Sequence, residues 1–123
     1  MTQEAYKPLV EGANAPTLFL TNAAATYYTV PVSPDNSITH VLGIILCNED
    51  TVSRTVTLHN CAEGVAAGTS NRVLAPLTMA AGQTVILCLC RGTWVMTKGM
   101  TIKALADANS VVTITISGCE VAP

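Results

Sequence analysis

The sequence is short of ionic side chains, with only 11% Asp, Glu, Lys and Arg among its 123 residues. A monomeric domain usually keeps about a quarter or more of its surface charged to stay soluble. Six basic against eight acidic residues give a net charge of −2, and Lys and Arg form no cluster. Nucleic acid is therefore not an expected partner, because no basic patch is available to neutralise phosphates. The scarcity of charge predicts that a protein partner covers part of the surface.

Aromatic residues and long apolar runs are also scarce. Aromatics make up 4% of the chain, so the 50% hydrophobic content comes mainly from Val, Ile, Leu and Ala and excludes a disordered chain. The longest apolar run, 41–47, is far short of the roughly 18 residues of a membrane helix, so no membrane association is expected. Residues 1–8 lack the basic-then-apolar order of a secretory signal, which predicts synthesis in the cytoplasm.

The chain is the length of one domain, preceded by a segment with no periodicity. Proline, glycine and asparagine interrupt residues 1–16, which we interpret as an extended N-terminal arm. Its apolar residues Tyr6, Leu9 and Val10 are candidates for contact with a neighbouring subunit. Residues 17–123 are expected to form a single domain that can bury a core without metal or disulfides.

From residue 17 onward, short segments rich in Thr, Val, Ile and Tyr alternate with turn residues, a pattern typical of all-β domains. We predict strands near 17–21, 26–32, 37–48, 52–61, 71–78, 83–90, 93–96, 100–106 and 111–120. The predicted fold is an all-β antiparallel β-sandwich of about eight strands, with jelly-roll and immunoglobulin-like connectivity both open. Residues 62–70 are predicted to be an exposed loop, and 104–108 is the one segment where a helix is considered.

Two of the predicted strands are apolar on both faces. They are 41–47 and 85–90, and an antiparallel sandwich permits this pattern only where something covers the outer side. The cover is either the arm of the same chain or another subunit. Residues 55–59 and 112–117 alternate instead between polar and apolar side chains, which predicts one face in contact with water.

Five cysteines are many for a cytoplasmic chain of this length. One interpretation is that they are buried thiols, since free cysteine behaves as a small apolar residue. Alternation places Cys61 and Cys119 on the wetter faces of their strands, which makes them candidates for a disulfide or an intersubunit bond. Because the number is odd, at least one thiol stays free or pairs across a subunit boundary if the surroundings are oxidising.

The sequence contains no convincing catalytic or metal-binding motif. We expect His40 at a sheet edge and His59 on a strand surface, and Cys61 near His59 lacks any supporting nucleophile motif. Cys88 and Cys90 share one strand face, but no second pair completes a zinc site. Phosphate loops, nucleophile elbows and calcium loops are absent from the sequence. The expectation is a protein without enzymatic activity, cofactor or metal.

The order of the segments resembles that of a known family. The segments are Thr-Tyr-Tyr-Thr-Val-Pro at 26–31, the apolar strand 38–48 ending in Cys-Asn, Thr-Val-Thr-Leu at 55–58, Ala-Ala-Gly-Gln-Thr at 80–84, 98–104 and 112–118. Together they resemble the small β-sandwich structural proteins of tailed bacteriophages, over about residues 17–120. Where those proteins often carry Asp after the glycine of the 98–104 segment, this chain has Met100, which argues against an ion-binding turn there.

The resemblance implies a virion component made in the cytoplasm of a bacterial host. It suggests a capsid decoration or cement protein that binds the assembled head and stabilises it through contacts with the major capsid protein. It also implies a homo-oligomer, with a trimer by analogy. A neck, collar or tail module is an alternative, and so is a receptor- or carbohydrate-binding sandwich. Trp94 is a candidate interface residue in the first case and a candidate sugar-stacking platform in the last.

Overall fold

Ten β-strands account for most of the structure, a computed structural model that describes residues 3–9, 17–32 and 37–122. The strands are β1 (Gln3–Pro8), β2 (Thr17–Phe19), β3 (Ala25–Thr29), β4 (Ile38–Asn48), β5 (Arg54–Cys61), β6 (Arg72–Met79), β7 (Thr84–Cys88), β8 (Val95–Thr97), β9 (Thr101–Ala106) and β10 (Val112–Ala122). A short 3₁₀ turn, Thr69–Asn71, is the one helical element in the described part of the chain. Each predicted strand from residue 17 onward is present within a few residues of its expected bounds.

The strands form two antiparallel sheets that pack as a sandwich, as predicted from the sequence. Sheet A has the order β1-β10-β4-β7, with β2 beside β1 on the same edge of β10 and β8 beside β7 on the same edge of β4. Sheet B has the order β3-β9-β5-β6. Because β1 and β2 share one place in sheet A and β7 and β8 share another, the ten strands occupy eight places, numbered here along the chain. The first place pairs with the eighth, the second with the seventh, the third with the sixth and the fourth with the fifth. This nested order is that of a jelly roll, which decides between the two predicted connectivities.

The core lies between the sheets and is built by alternate side chains of each strand. The largest fully buried side chains are Tyr28, Leu9, Leu20, Ile44, Leu46, Leu58, Met79, Met96, Ile102, Ile114, Ile116 and Val30. On β10 the apolar residues at 112, 114 and 116 face inward, whereas Thr113 and Thr115 are half-buried and Ser117 is exposed. The wet face predicted for this part of β10 is therefore confirmed.

The N-terminal segment joins the sandwich through the backbone. Residues 3–8 form β1 and pair with 117–122 of β10. The N–H of Leu9 then donates to the Ile116 carbonyl at 2.7 Å, and the Leu9 side chain is only 1% exposed. Gly118 makes room for this approach, because a Cβ there would lie 2.8 Å from Leu9 Cδ1 and 2.3 Å from the His40 carbonyl oxygen. The rest of the expected arm, with Val10, lies outside the described residues, as does the turn predicted at 33–36.

The segment considered for a helix, 104–108, is not helical, and its first three residues belong to a strand. Residues 101–106 form β9, in which Ala104 and Ala106 are fully buried opposite Leu58 and Val56 of β5. Small side chains at these positions let the large residues of β5 fill the core between the sheets. Tertiary packing therefore overrides the helix propensity of alanine.

Candidate functional site

The candidate site is the outer face of sheet A, where two exposed isoleucines lie side by side. We define the outer face as nine residues, three from each of three neighbouring strands. They are Cys47, Ile45 and Gly43 on β4, Thr113, Thr115 and Ser117 on β10, and Thr84, Ile86 and Cys88 on β7. The ladder pairs them in rows of three across the sheet, because residues directly opposite each other in antiparallel strands point to the same side.

The outer face is apolar at its centre and carries no charged residue. Ile45 is 42% exposed and Ile86 is 60% exposed, and these two isoleucines are direct cross-strand neighbours. Phe19 of β2, opposite Thr113, extends the first row and is 50% exposed. Glu49 lies just beyond the end of β4, where its carboxylate accepts a hydrogen bond from the Cys47 thiol at 3.1 Å. Apolar patches with a polar border are typical of protein interaction sites.

These exposures test the prediction that something covers the outer sides of 41–47 and 85–90, the two strands that are apolar on both faces. Within one chain, the inner side chains of 41–47 are buried and those of 85–90 are half-buried. The outer faces of both strands are open to solvent, at Ile45, Ile86 and Cys88. The described part of the arm, β1, lies at the edge of sheet A beside β10 and so does not cover this face. Cover by another subunit remains a prediction.

The four residues named from sequence as interface candidates are placed differently. Leu9 and Trp94 belong to the core of their own chain, at 1% and 7% exposure, so neither side chain is available to a partner. Tyr6 is described only by its backbone, which pairs with Cys119 on β10. Val10 lies outside the described residues. Burial of Trp94 also leaves its ring without the open face that stacking on a sugar requires.

Cys61 and Cys119 are both fully buried and both free thiols, so the prediction that they sit on wet faces is wrong. Each does lie on the strand face assigned to it by alternation. On β5 that face is covered by the following loop, because His59 Nδ1 contacts the Gly68 carbonyl at 3.1 Å and Asn71 Oδ1 at 2.9 Å. Both partner atoms are oxygens that accept hydrogen bonds, so His59 Nδ1 carries the proton and is the donor.

On β10, Cys119 occupies a central position between two strands. It lies opposite Tyr6 of β1 on one side and His40 of β4 on the other. The exposed cysteines are instead Cys88 and Cys90, and all five described cysteines are free. Alternation places side chains on a face but does not reveal what packs over that face, and this is why burial was missed.

Both histidines are more buried than the sequence indicates. His59 is 3% exposed because of the loop contacts, and it is not a surface residue. His40 lies on β4, which is an interior strand of sheet A between β10 and β8, so the expected edge position is also wrong. The Nδ1 atom of His40 is buried without a hydrogen-bond partner, as is Nε1 of Trp94. No hydrogen bond joins either histidine to a cysteine in the described ranges.

The best-defined ionic contact lies at the turn after β4. Arg54 Nη2 is 2.7 Å from Asp50 Oδ2, and Arg54 Nε donates to the same oxygen at 2.9 Å. The hydrogen bond from Arg54, followed by that from the Thr51 backbone N–H, lowers the pKa of the Asp50 carboxyl below its usual value of 3.8. These residues fix the turn between β4 and β5, so their role is structural.

A second polar cluster lies at the other end of β4. The Tyr28 hydroxyl is 2.6 Å from Thr39 Oγ1 and donates to Glu120 Oε2 at 2.5 Å. Thr39 is fully buried and pairs directly with Glu120 across the ladder. The cluster connects β3 of sheet B to β4 and β10 of sheet A, so it ties the two layers together.

The described residues offer no grouping that would hold a metal. Within residues 3–9, 17–32 and 37–122, no three His, Cys, Asp or Glu side chains lie close enough together to bind an ion. Nor does this part of the chain contain a helix with the length and apolar character needed to cross a bilayer.

Comparison with known proteins gives matches in fold alone. No family model and no curated protein matches the sequence. A chain from the crystal structure of the T13 infectious bursal disease virus particle is 9% identical with a TM-score of 0.54, over 98% of this chain and 30% of that one. A chain of the Gx strain of the same virus is 10% identical with a TM-score of 0.52, over 98% and 32%.

A chain from the disulfide-linked pili of Bacillus endospore appendages is 12% identical with a TM-score of 0.46, over 98% of this chain and 85% of that one. The present chain spans about a third of the length of the two viral chains. The similarity to the viral chains agrees with the β-sandwich derived above from strand order.

Proposed function

We propose that this chain is a structural protein of a virus particle that acts by packing the outer face of sheet A against a neighbouring particle protein. The observation that carries the proposal is the adjacent pair Ile45 and Ile86, exposed by 42% and 60% at the centre of a face without charge. Fully burying an isoleucine side chain contributes about 1.5–3 kcal/mol. The function is therefore mechanical, and the proposal assigns the chain no catalytic activity and no cofactor.

The fold supports the same proposal. A jelly-roll sandwich is a recurrent architecture of viral capsid proteins, and the two viral chains with TM-scores above 0.5 come from virus particles. A rigid two-layer sandwich holds its outer face in one shape, so little conformational entropy is lost when that face is buried. Because the face carries no charge, burying it does not require an opposite charge on the partner.

The finer proposal is a cement protein on the head of a bacteriophage, as the resemblance of 26–31, 38–48 and 55–58 implies. A protein that binds only where assembled subunits meet stabilises the assembled state by mass action. The partner would then be the major capsid protein, and the chain would be found in the virion. Burial of Trp94 weighs against the carbohydrate-binding alternative, because it leaves no exposed tryptophan for stacking.

The test is attachment of the purified chain to particles that lack it. Ile45→Lys is expected to weaken attachment by about tenfold or more, because a charge replaces a side chain that binding would bury. Phe19→Lys tests the same face of sheet A at its opposite edge, on β2. Val65→Lys is the matched control, since Val65 is 47% exposed on the 62–68 loop. Co-sedimentation measures the bound fraction.

Two outcomes would contradict the proposal. Equal attachment of all three variants would show that the outer face is not the binding surface. Particles that withstand heating equally well with and without the bound wild-type chain would remove the cement role, even if the chain attaches. Attachment without stabilisation would leave a neck or tail position as the surviving structural role.

A further inference from the structure

Strand β7 is an edge of sheet A. It pairs with β4 along one side, from Gly43 opposite Cys88 to Cys47 opposite Thr84, without a break in register. Along the other side of β7, no strand pairs within the described ranges 3–9, 17–32 and 37–122. An unpaired edge presents a row of backbone donors and acceptors to any strand that can reach it.

The hydrogen bonds that flank β7 show which of its backbone groups point outward. The N–H of Leu89 donates to the Leu42 carbonyl at 2.9 Å, and the Gln83 carbonyl accepts from the N–H of Asn48 at 2.9 Å. Backbone groups of a strand alternate in direction with each residue. Since 83 and 89 face β4, residues 85 and 87 do so as well, and the N–H and C=O groups of 84, 86 and 88 point away from the sheet.

This edge also lacks the features that keep other edges from pairing. The five residues of β7 are Thr-Val-Ile-Leu-Cys, without proline, glycine or charge. Strand β6, an edge of sheet B, carries Arg72 and Pro76 and has two register shifts against β5. Strand β3, the other edge of sheet B, has a register shift between Thr26 and Tyr28. Charges, prolines and bulges on edge strands are the usual protection against pairing with another chain.

We propose that β7 of one copy pairs antiparallel with β7 of a second copy about a two-fold axis at Ile86. In this register Ile86 lies opposite Ile86 of the second copy, and Thr84 lies opposite Cys88. Every outward N–H of 84, 86 and 88 then meets an outward carbonyl, so no edge group is left unpaired. The two A sheets become one continuous sheet, and each Ile86 has an isoleucine on both sides, since Ile45 is its neighbour within the chain.

A second copy fits this edge because the strand is its own complement. The outward groups are symmetric about Ile86, and an antiparallel pair is what a two-fold axis produces. No charge on β7 would repel its own copy. The inference goes beyond the proposed function and does not rest on it, since two chains can pair in this way whether or not they belong to a virus particle. Edge pairing of this kind closes at two copies rather than at the three suggested by the resemblance.

The first experiment measures the mass of the purified chain in solution with reductant present. The wild type is expected at twice the 12.8 kDa of the chain at high concentration. Ile86→Lys is expected to be a monomer, because two lysines would face each other at the axis. Val73→Lys is the matched control on β6, where Val73 is 46% exposed, and is expected to remain a dimer. A mixture of Ile86→Lys with Ile86→Glu is expected to restore the dimer.

The second experiment measures amide hydrogen exchange residue by residue. The amides of Val85 and Leu87 are expected to be protected at every concentration, because they bond to β4. Those of Thr84, Ile86 and Cys88 are expected to gain protection only as the dimer forms. This alternation distinguishes edge pairing from association through the outer face, which would leave the outward amides exchanging freely.

Several results would overturn the inference. A monomer at millimolar concentration is one, and a dimer or trimer that Ile86→Lys leaves intact is another. A dimer without new protection at 84, 86 and 88 would mean a different surface. The wild type could also be a monomer in solution and gain protection at these amides only when bound to a particle. In that case the partner of the edge would be a strand of another protein. A dimer that meets both tests stands even if attachment to particles fails.

Discussion

Replacing Leu9 with alanine tests whether the N-terminal segment is part of the folded core. The Leu9 side chain is 1% exposed, packs against Gly118, and follows an N–H that donates to the Ile116 carbonyl. Leucine-to-alanine changes at buried sites cost about 2–5 kcal/mol, from lost transfer free energy and the cavity left behind. Because a domain is stable by only about 5–15 kcal/mol, Leu9→Ala is expected to lower the free energy of unfolding by a large fraction. The melting temperature should fall by on the order of 10 °C.

The assay is urea unfolding followed by the fluorescence of Trp94. It is the single tryptophan of the chain and is 7% exposed, so its emission reports on the core. Phe19→Ala is the control, because Phe19 is 50% exposed on β2, which pairs with the same strand β10. Its expected cost is below about 1 kcal/mol. A loss for Leu9→Ala no larger than that for Phe19→Ala would refute the docking of residues 3–9.

Two further predictions concern a backbone contact and a pH dependence. Gly118→Ala is expected to cost about 1–3 kcal/mol or more, because its Cβ would lie 2.3 Å from the His40 carbonyl oxygen. Gly68→Ala, where no atom lies within 4 Å of the new Cβ, should change the urea midpoint little, and equal midpoints for the two variants would contradict the packing. Asp50 has a lowered pKa in the folded state because of Arg54, so its contribution to stability is present above the usual value of 3.8 and is lost as pH falls through the lower folded value. In Asp50→Asn, the free energy of unfolding measured with urea should therefore fall less as the pH is lowered. The same pH dependence in both proteins would mean that the contact contributes nothing to stability.

Strand positions could be predicted from sequence because they depend on local patterns. Alternation in 112–117 and the apolar runs at 41–47 and 85–90 correspond to β10, β4 and β7. The turn signals between them also survive in the structure, as at 80–82. Strand β1 could not be predicted because it is short, ends at Pro8 and is followed by Gly12, whereas an edge strand needs only a partner with free backbone groups, which β10 supplies.

Burial could not be predicted in the same way, because it depends on what packs over a strand. The face of β5 that carries His59 and Cys61 reads as polar and wet, yet the loop that ends at Asn71 covers it. The candidate site shows the same limit. The sequence identifies the two strands that form the outer face, but the exposure of Ile45 and Ile86 emerges only once the sheets are assembled.

The nested strand order has a consequence for how the chain reaches this structure. Strand β10, the last described strand along the chain, pairs with β1, β2 and β4, so sheet A cannot be completed until β10 has been synthesised. The hairpin of β5 and β6 requires no such wait, because its partners are close in sequence. Contacts between distant parts of a chain slow folding, since a long loop must close before they form. During this interval the apolar strand β4 can pair with β7 and β8 on one side only, and its other side stays unpaired until β10 protects it from aggregation.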